Sequence, residues 1–280
     1  MEAILSIAKK EVMDNIRTKG IIITTITFVT IAIISSLMGA AFKGSSGLGN
    51  LRMTVSIMMM FIQYVIPIIG VMLGYASIVG EAESGTLSAF IAFPVTRLEI
   101  IIGKFLGLGL VLSASIFLGF GIAGIIIGVS VSNVDYGIYL LYILYSILLG
   151  LVFLSISMFF SSILKKRSTA LGISIFVWSF FSFLWGIMLI GLMVANHINV
   201  GSADAGGLFA LNLFSPAQTY NALVALSFGA QPLFIPSAGM STFADNFPDF
   251  YNTGLLVFLM FLWILIMLIF SYLSFKYRDV

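Results

Sequence analysis

The residues of this sequence that could do chemistry are few. A phosphate-binding loop that hydrolyses nucleotides needs G-x-x-x-x-G-K-[ST], but Gly103-Lys104 is followed by Phe105 and has a leucine at the first glycine position. The thioethers of methionines 58–60 could attract cuprous copper, but consecutive residues point to different helix faces. Cysteine is absent and His197 is the only histidine. We therefore expect no enzyme, no metal site and no cofactor in this chain.

Segment 81–104 reads EAESGTLSAFIAFPVTRLEIIIGK and has the clearest pattern in the sequence. Leu87, Phe90 and Ile91 recur at helical spacing, which predicts a short amphipathic helix. We expect this helix to begin at Glu81 and to end at Pro94, because proline cannot continue a helix.

A second helix is predicted directly after the first. Thr96 and Glu99 have the spacing of a capping box, so this helix begins at Thr96 and the segment forms a bent elbow. Carboxylates near the first turn of the elbow suit the helix dipole. The charges that we expect to be exposed are Glu81 and Glu83 at one end and Arg97 and Lys104 beyond the bend. Such an elbow could be gripped by a soluble partner, or it could be only a solvated loop.

The elements around this elbow are predicted from composition. Of the 280 residues, 60% are apolar and 9% are charged, whereas a soluble domain has roughly 25% charged residues. Several uncharged stretches reach the roughly 20 residues that a helix needs to cross a bilayer, and they lack the alternation typical of strands. The sequence therefore predicts an all-α polytopic membrane protein.

The predicted protein is a single transmembrane domain, 1–280. Residues 1–19 have the pattern of an interfacial helix. The six predicted spans are 21–42, 53–79, 100–131, 137–164, 169–195 and 254–275, and Pro67 is expected to bend or loosen the second. A long connection, 196–253, is too broken for a further span, although 214–228 could form a short helix.

The distribution of charge predicts the orientation. Eleven of the 13 Lys and Arg residues lie on one side of these spans, and Lys and Arg are retained on the cytoplasmic side. We therefore expect both termini in the cytoplasm and the connection 196–253 outside. The expected location is the plasma (inner) membrane of a prokaryote.

Glycines also recur at four-residue spacing in the second and third spans. Examples are Gly70 with Gly74 and Gly103 with Gly107. Small residues at this spacing allow close helix packing, and they could also form surfaces that slide during a conformational change.

The source of energy is indicated by what the spans lack. Ion-coupled carriers keep acidic residues within the bundle as ion sites, but no Asp or Glu lies inside the six predicted spans. This favours energy delivered by a partner protein. The alternatives are an ion-coupled secondary carrier or channel, and a membrane scaffold that transports nothing.

The elbow motif resembles the signature of ABC-2 transporter permeases, and the whole plan of spans is similar to theirs. In length and layout the chain is most similar to the permeases that serve nitrous oxide reductase maturation. The residues that match the motif are Glu81, Gly85, Thr86, Leu87, Pro94, Arg97, Glu99, Gly103 and Lys104.

The resemblance implies that 81–93 is a coupling helix docked on a separate ABC ATPase subunit, which binds ATP and Mg. Two permeases, identical or similar, and two ATPases would form the unit, and export is the expected direction. The implied coupling residues are Glu81, Glu83, Gly85, Thr86, Leu87, Phe90, Ile91, Pro94, Arg97, Glu99 and Lys104.

The resemblance also implies a substrate path along the second and fifth spans. The residues there are Gln63, Tyr64, Ser174, Trp178 and Ser179, and their mostly apolar surroundings favour an amphipathic cargo. The expected surroundings are the lipid bilayer, with an extracytoplasmic partner or a lid at 196–253 and no nucleic acid.

Overall fold

The computed structural model describes residues 2–17, 20–41, 49–85, 95–130, 136–197, 205–228 and 248–277. Within these ranges the chain forms helices joined by turns, without a strand. The predicted all-α membrane fold is confirmed. In chain order the elements are α1 Glu2–Arg17, α2 Gly20–Ala41, α3 Gly49–Gly74, α4 Val79–Glu83, α5 Arg97–Ser130, α6 Tyr136–Ile163, α7 Arg167–Ser179, a π-helical segment Phe180–Leu184, α8 Trp185–Ala195, α9 Ala205–Asn212, α10 Pro216–Phe228 and α11 Thr253–Lys276.

Five stretches of the described residues are long and apolar enough to cross a membrane. They are Phe61–Glu83, Arg97–Ile122, Tyr139–Ile163, Arg167–Ala195 and Thr253–Lys276, and they overlap the predicted second to sixth spans. The predicted first span, 21–42, overlaps α2, which is not among the five. A count of six spans therefore stays a prediction.

Helix α6 lies at the centre of the bundle. Its residues Leu149, Val152 and Phe153 are completely buried, and it packs against α3, α5 and α11. A Cβ added at Gly70 of α3 would lie 2.7 Å from the carbonyl oxygen of Gly150 in α6. Only glycine permits this approach, so the close packing predicted for the second span is confirmed.

Helices α1 and α2 lie along α5. Ile7 of α1 faces Gly103, and Phe28 of α2 faces Gly119 further along α5. Because both residue numbers rise together, α1 and α2 follow α5 in the same direction. The N-terminal helix is thus held on the bundle by the start of α5.

Two spans show details beyond the prediction. Helix α3 continues through Pro67 to Gly74, and the chain then turns into α4. The fifth span is not a regular helix, because the π segment widens it at Phe180–Leu184. Around this segment Phe181 packs on Trp263 of α11, whereas Phe183 stacks on Tyr64 of α3.

The connection 196–253 contains two helices among its described residues, α9 and α10. The short helix predicted at 214–228 is confirmed and begins at Pro216, since proline suits the first position of a helix. The Tyr251 hydroxyl donates to the Phe209 carbonyl at 2.8 Å and so ties α9 to the start of α11. Burial raises the pKa of Tyr251, which keeps this donor protonated.

Candidate coupling site

The described residues include only part of the predicted coupling segment. The predicted coupling residues in the described ranges are Glu81, Glu83, Gly85, Arg97, Glu99 and Lys104. The remaining predicted coupling residues, Thr86, Leu87, Phe90, Ile91 and Pro94, lie outside the described residues.

The prediction that a helix begins at Glu81 is wrong. Glu81 and Glu83 lie in α4, at the end of the second span, and the chain then turns at Ser84. Gly85 has a φ of +73° and its N–H donates to the Ala82 carbonyl at 3.3 Å, which ends the helix. Both carboxylates therefore lie at a helix C-terminus, where the dipole disfavours anions. Cations from other elements must compensate for them.

The cations around Glu81 belong to α1 and α5. Lys104 Nζ of α5 lies 2.8 Å from Glu81 Oε1 and 2.7 Å from Glu11 Oε1 of α1, and Lys10 Nζ lies 3.1 Å from Glu81 Oε1. We call Glu11, Glu81 and Lys104 the Lys104 network, and Lys10 contacts it from an exposed position. The side chain of Lys104 is 1% exposed and that of Glu81 is 16% exposed. The expectation that these two charges are exposed to a partner is therefore wrong.

Two glycines bring α1 close enough to form the network. A Cβ at Gly103 would lie 2.8 Å from Ile7 Cβ, and one at Gly107 would lie 2.7 Å from both the Ala8 carbonyl oxygen and Glu11 Cβ. Larger residues would push α1 away and separate Glu11 from Lys104. These glycines therefore act in close packing, which is the first of the two alternatives for the glycine pattern.

Glu83 contacts a different element, the start of α7. The Arg167 backbone N–H donates to Glu83 Oε1 at 3.0 Å, and Arg167 Nε lies 3.2 Å from Glu83 Oε2. The Arg167 guanidinium also donates to the Gly80 carbonyl. Both charged side chains are partly exposed, so this ion pair is screened by water.

The start of α5 is fixed as predicted. The Thr96 N–H donates to Glu99 Oε2 at 2.9 Å, and the Glu99 N–H donates to Thr96 Oγ1 at 3.3 Å, which completes the capping box. The Arg97 guanidinium donates to the Lys276 carbonyl at 2.9 Å and also to the Phe275 carbonyl. Arg97 thus contacts the end of α11.

These contacts connect α4 and the start of α5 to several other helices. The carboxylates of α4 contact α1 and α5 through Glu81 and α7 through Glu83, and Arg97 connects α5 to α11. A displacement of α4 must therefore strain contacts with several helices at once.

The structure brings together some of the residues predicted for the substrate path. Tyr64 stacks on Phe183 with 4.6 Å between ring centroids, and Trp178 contacts the edge of the same ring at 5.8 Å. Ser174 is buried and accepts a hydrogen bond from Ser157 of α6 at 3.4 Å. The remaining two are a buried Gln63 and a Ser179 that bonds within its own helix, to the Phe176 carbonyl.

Sequence reasoning missed several partners in both regions. Arg167 was counted only among the Lys and Arg residues that set the orientation, and Glu11 was not singled out, because their partners are 84 and 93 residues away in sequence. The available signal was a lysine between two glycines in an apolar helix, since a buried cation requires a carboxylate. Nothing in the sequence indicated Phe183.

Comparisons with known proteins show which chains this sequence is similar to. The family model described as "ABC-2 family transporter protein" matches residues 5–280. The "Probable ABC transporter permease protein NosY" of Stutzerimonas stutzeri is 30% identical over 224 residues, which are 79% of this chain and 80% of the relative. The protein of the same description from Pseudomonas aeruginosa is 30% identical over 234 residues, 82% of this chain and 84% of the relative.

Proposed function

From the premise that this chain belongs to the ABC-2 transporter family, we propose that it exports a cargo with energy from a separate ATPase subunit. It is a multi-pass membrane permease, the membrane-spanning part of an ABC transporter. In the proposed unit two copies of the chain, or this chain and a similar permease, bind two ATPase subunits. The ATPases bind ATP and Mg at the cytoplasmic side.

One observation carries this proposal. Glu81 and Glu83, which the sequence placed at the start of the coupling helix, contact cations of α1, α5 and α7 rather than being left in solvent. A loop without a mechanical role would not need a buried lysine with two carboxylates, because burying charge is costly. A push on the coupling helix could therefore reach several spans together.

Co-purification tests the ATPase partner. The chain is purified in mild detergent from its native membrane, and bound proteins are identified by mass spectrometry. We expect an ABC ATPase subunit, and we expect Phe90→Ala to lower its recovery at least tenfold, because Phe90 is on the apolar face of the predicted coupling helix. The matched control is Phe214→Ala, an exposed phenylalanine of the 196–253 connection.

Two results would contradict this part of the proposal. One is the absence of any ATPase from the preparation. The other is uphill solute movement by the isolated chain in vesicles with an ion gradient, which would favour a secondary carrier. Partner binding without ATP-dependent flux would favour a scaffold.

The fifth span supports the proposed second permease copy. Only 6% of the residues in an 18-residue apolar stretch of this span are buried, compared with 72% in the corresponding stretch of α6. Ile187 and Val194 are 65% and 70% exposed. Lipid can cover such a face, so the surface must be tested directly.

Cross-linking provides that test, because the chain has no natural cysteine. We expect Val194→Cys to form a cross-linked dimer with a short bismaleimide in native membranes. Leu110→Cys is the control, since Leu110 is 60% exposed on α5. Equal cross-linking at both positions would indicate random collision and contradict a dimer through the fifth span.

Direction is tested with inverted membrane vesicles. In an exporter ATP outside these vesicles drives cargo into the lumen, and mass spectrometry of the lumen identifies it against vesicles without the chain. Accumulation in vesicles of the opposite orientation would indicate import.

A further inference from the structure

The buried cation of the Lys104 network has a structural setting unlike that of the other ion pairs at this end of the molecule. Lys104 is almost completely enclosed, and its ammonium is within 2.8 Å of two carboxylates from two different helices. In contrast, the pair between Arg167 and Glu83 is partly exposed. Water can replace either member of an exposed pair, whereas the buried Lys104 ammonium is stabilised by the two carboxylates that it contacts.

The glycines on either side of Lys104 strengthen this difference. Gly103 and Gly107 place the backbone of α1 against α5, so the network has little freedom to lengthen. The start of the coupling segment, α1 and the first turns of α5 are therefore held around one charge.

From this geometry we infer that Lys104 is a positioning residue, which makes α4, α1 and the start of α5 move as one rigid unit when the ATPase acts. The inference rests on the proposed function. It adds that the force is transmitted through the Lys104 network, and that the exposed contact of Glu83 with Arg167 lies at the boundary where this unit moves relative to α7.

The three charges of the network can be replaced together, so that no buried charge loses its partner. Lys104→Met alone leaves Glu11 and Glu81 next to each other and could prevent folding. The triple variant Glu11→Gln/Glu81→Gln/Lys104→Met replaces all three charges with neutral side chains of similar size, which buried ion pairs often tolerate. Lys10→Met is the matched control, because it removes a cation from the same carboxylate at an exposed position.

Distances between spin labels report the motion. Two pairs of cysteines are introduced in separate samples, Met13→Cys with Ser84→Cys, and Met13→Cys with Lys165→Cys, all at exposed positions. Each pair is measured in the permease–ATPase complex without nucleotide and after trapping with ATP and vanadate. The first pair lies within the proposed unit and the second crosses its boundary.

The inference makes opposite predictions for the two pairs. In the unmodified network and in Lys10→Met, trapping shifts the 13–165 distance and leaves the 13–84 distance unchanged. In the triple variant, with the same melting temperature and ATPase recovery, the 13–165 shift is lost and the 13–84 distribution broadens at least twofold on trapping. A protein in which the network only stabilises the fold would show no nucleotide-dependent difference between the variants.

The alternative results separate the two proposals. A triple variant with unmodified shifts, or an unmodified protein whose 13–84 distance changes on trapping, would overturn the role of Lys104 while leaving the ATPase partnership intact. If no ATPase is recovered with the unmodified chain, the proposed function fails first and the inference fails with it.

Discussion

At the scale of single residues, the strength of the ion pairs around α4 depends on how far each charge is removed from water. Lys104 and Lys10 both contact Glu81, but one is buried and the other is 42% exposed. The same Coulomb attraction is weaker in water than in the protein interior. Loss of the buried lysine also leaves the Glu11 and Glu81 carboxylates close together without the cation that both contact.

Substitution of these two lysines should therefore have unequal effects. We expect Lys104→Met to lower the free energy of unfolding by about 3–5 kcal/mol, because it breaks a buried pair on one side only. Lys10→Met should lower it by less than about 1 kcal/mol. Thermal unfolding in detergent, followed by tryptophan fluorescence, measures both. Equal losses would show that Lys104 is solvated in the protein.

The residue scale also shows what the sequence could predict about the site. The capping box of Thr96 and Glu99 was predicted correctly, because both partners lie within one helical turn. The partners of Lys104 and Glu83 could not be predicted, since they depend on the packing of α1 and α7. Gly85 did carry a local signal, and the amphipathic pattern after it concealed that a helix ends there.

At the scale of elements, the spacing between helices is set by a few close approaches. Gly70 and Gly74 bring α3 against the backbone of α6, and Gly103 and Gly107 do the same for α5 and α1. Other helical glycines have space around them. A Cβ at Gly172 of α7 would meet nothing within 4 Å.

Alanine at Gly70 and alanine at Gly172 should change the stability of the protein in opposite directions. Gly70→Ala is expected to destabilise the protein by about 1–3 kcal/mol, because the added methyl group overlaps the Gly150 carbonyl. Gly172→Ala should be neutral or stabilising by up to about 1 kcal/mol, since alanine favours a helix. Melting temperatures of the two purified variants provide the comparison. A stabilised Gly70→Ala would mean that α3 and α6 are further apart than described.

The connection 196–253 provides a second test at this scale. Tyr251→Phe removes the donor to the Phe209 carbonyl, which should cost about 1 kcal/mol locally because a buried hydrogen bond between α9 and the start of α11 is lost. We expect faster hydrogen–deuterium exchange in α9 and unchanged exchange in α6. Tyr136→Phe is the control, since Tyr136 is 61% exposed. Unchanged exchange in α9 would show that the ring packing of Tyr251 on Phe209 holds the helix by itself.

The elements were predicted with uneven success, for physical reasons. Long apolar stretches identify spanning helices because the bilayer requires them. The π segment gave no such signal, since it arises where neighbouring aromatic side chains pack on both α3 and α11. Helix α9 was missed because its glycine-rich sequence, AGGLFALN, has weak helix propensity.

At the scale of the whole molecule, orientation remains a prediction from charge, and it can be tested directly. The chain contains no cysteine, so single cysteines report the side on which they lie. In intact cells we expect Phe214→Cys to react with a membrane-impermeant maleimide and Lys9→Cys to react only after the cells are opened. Both residues are exposed. The reverse pattern would invert the proposed orientation and place the coupling segment outside.

The contact of Arg97 with the carbonyls of Phe275 and Lys276 joins the beginning of α5 to the last turn of α11. These acceptors lie 178 and 179 residues after Arg97 in the chain, so they leave the ribosome long after it. The start of α5 must therefore wait until α11 has been synthesised before this contact can form. A chain that lacks α11 would leave Arg97 without these two carbonyl acceptors.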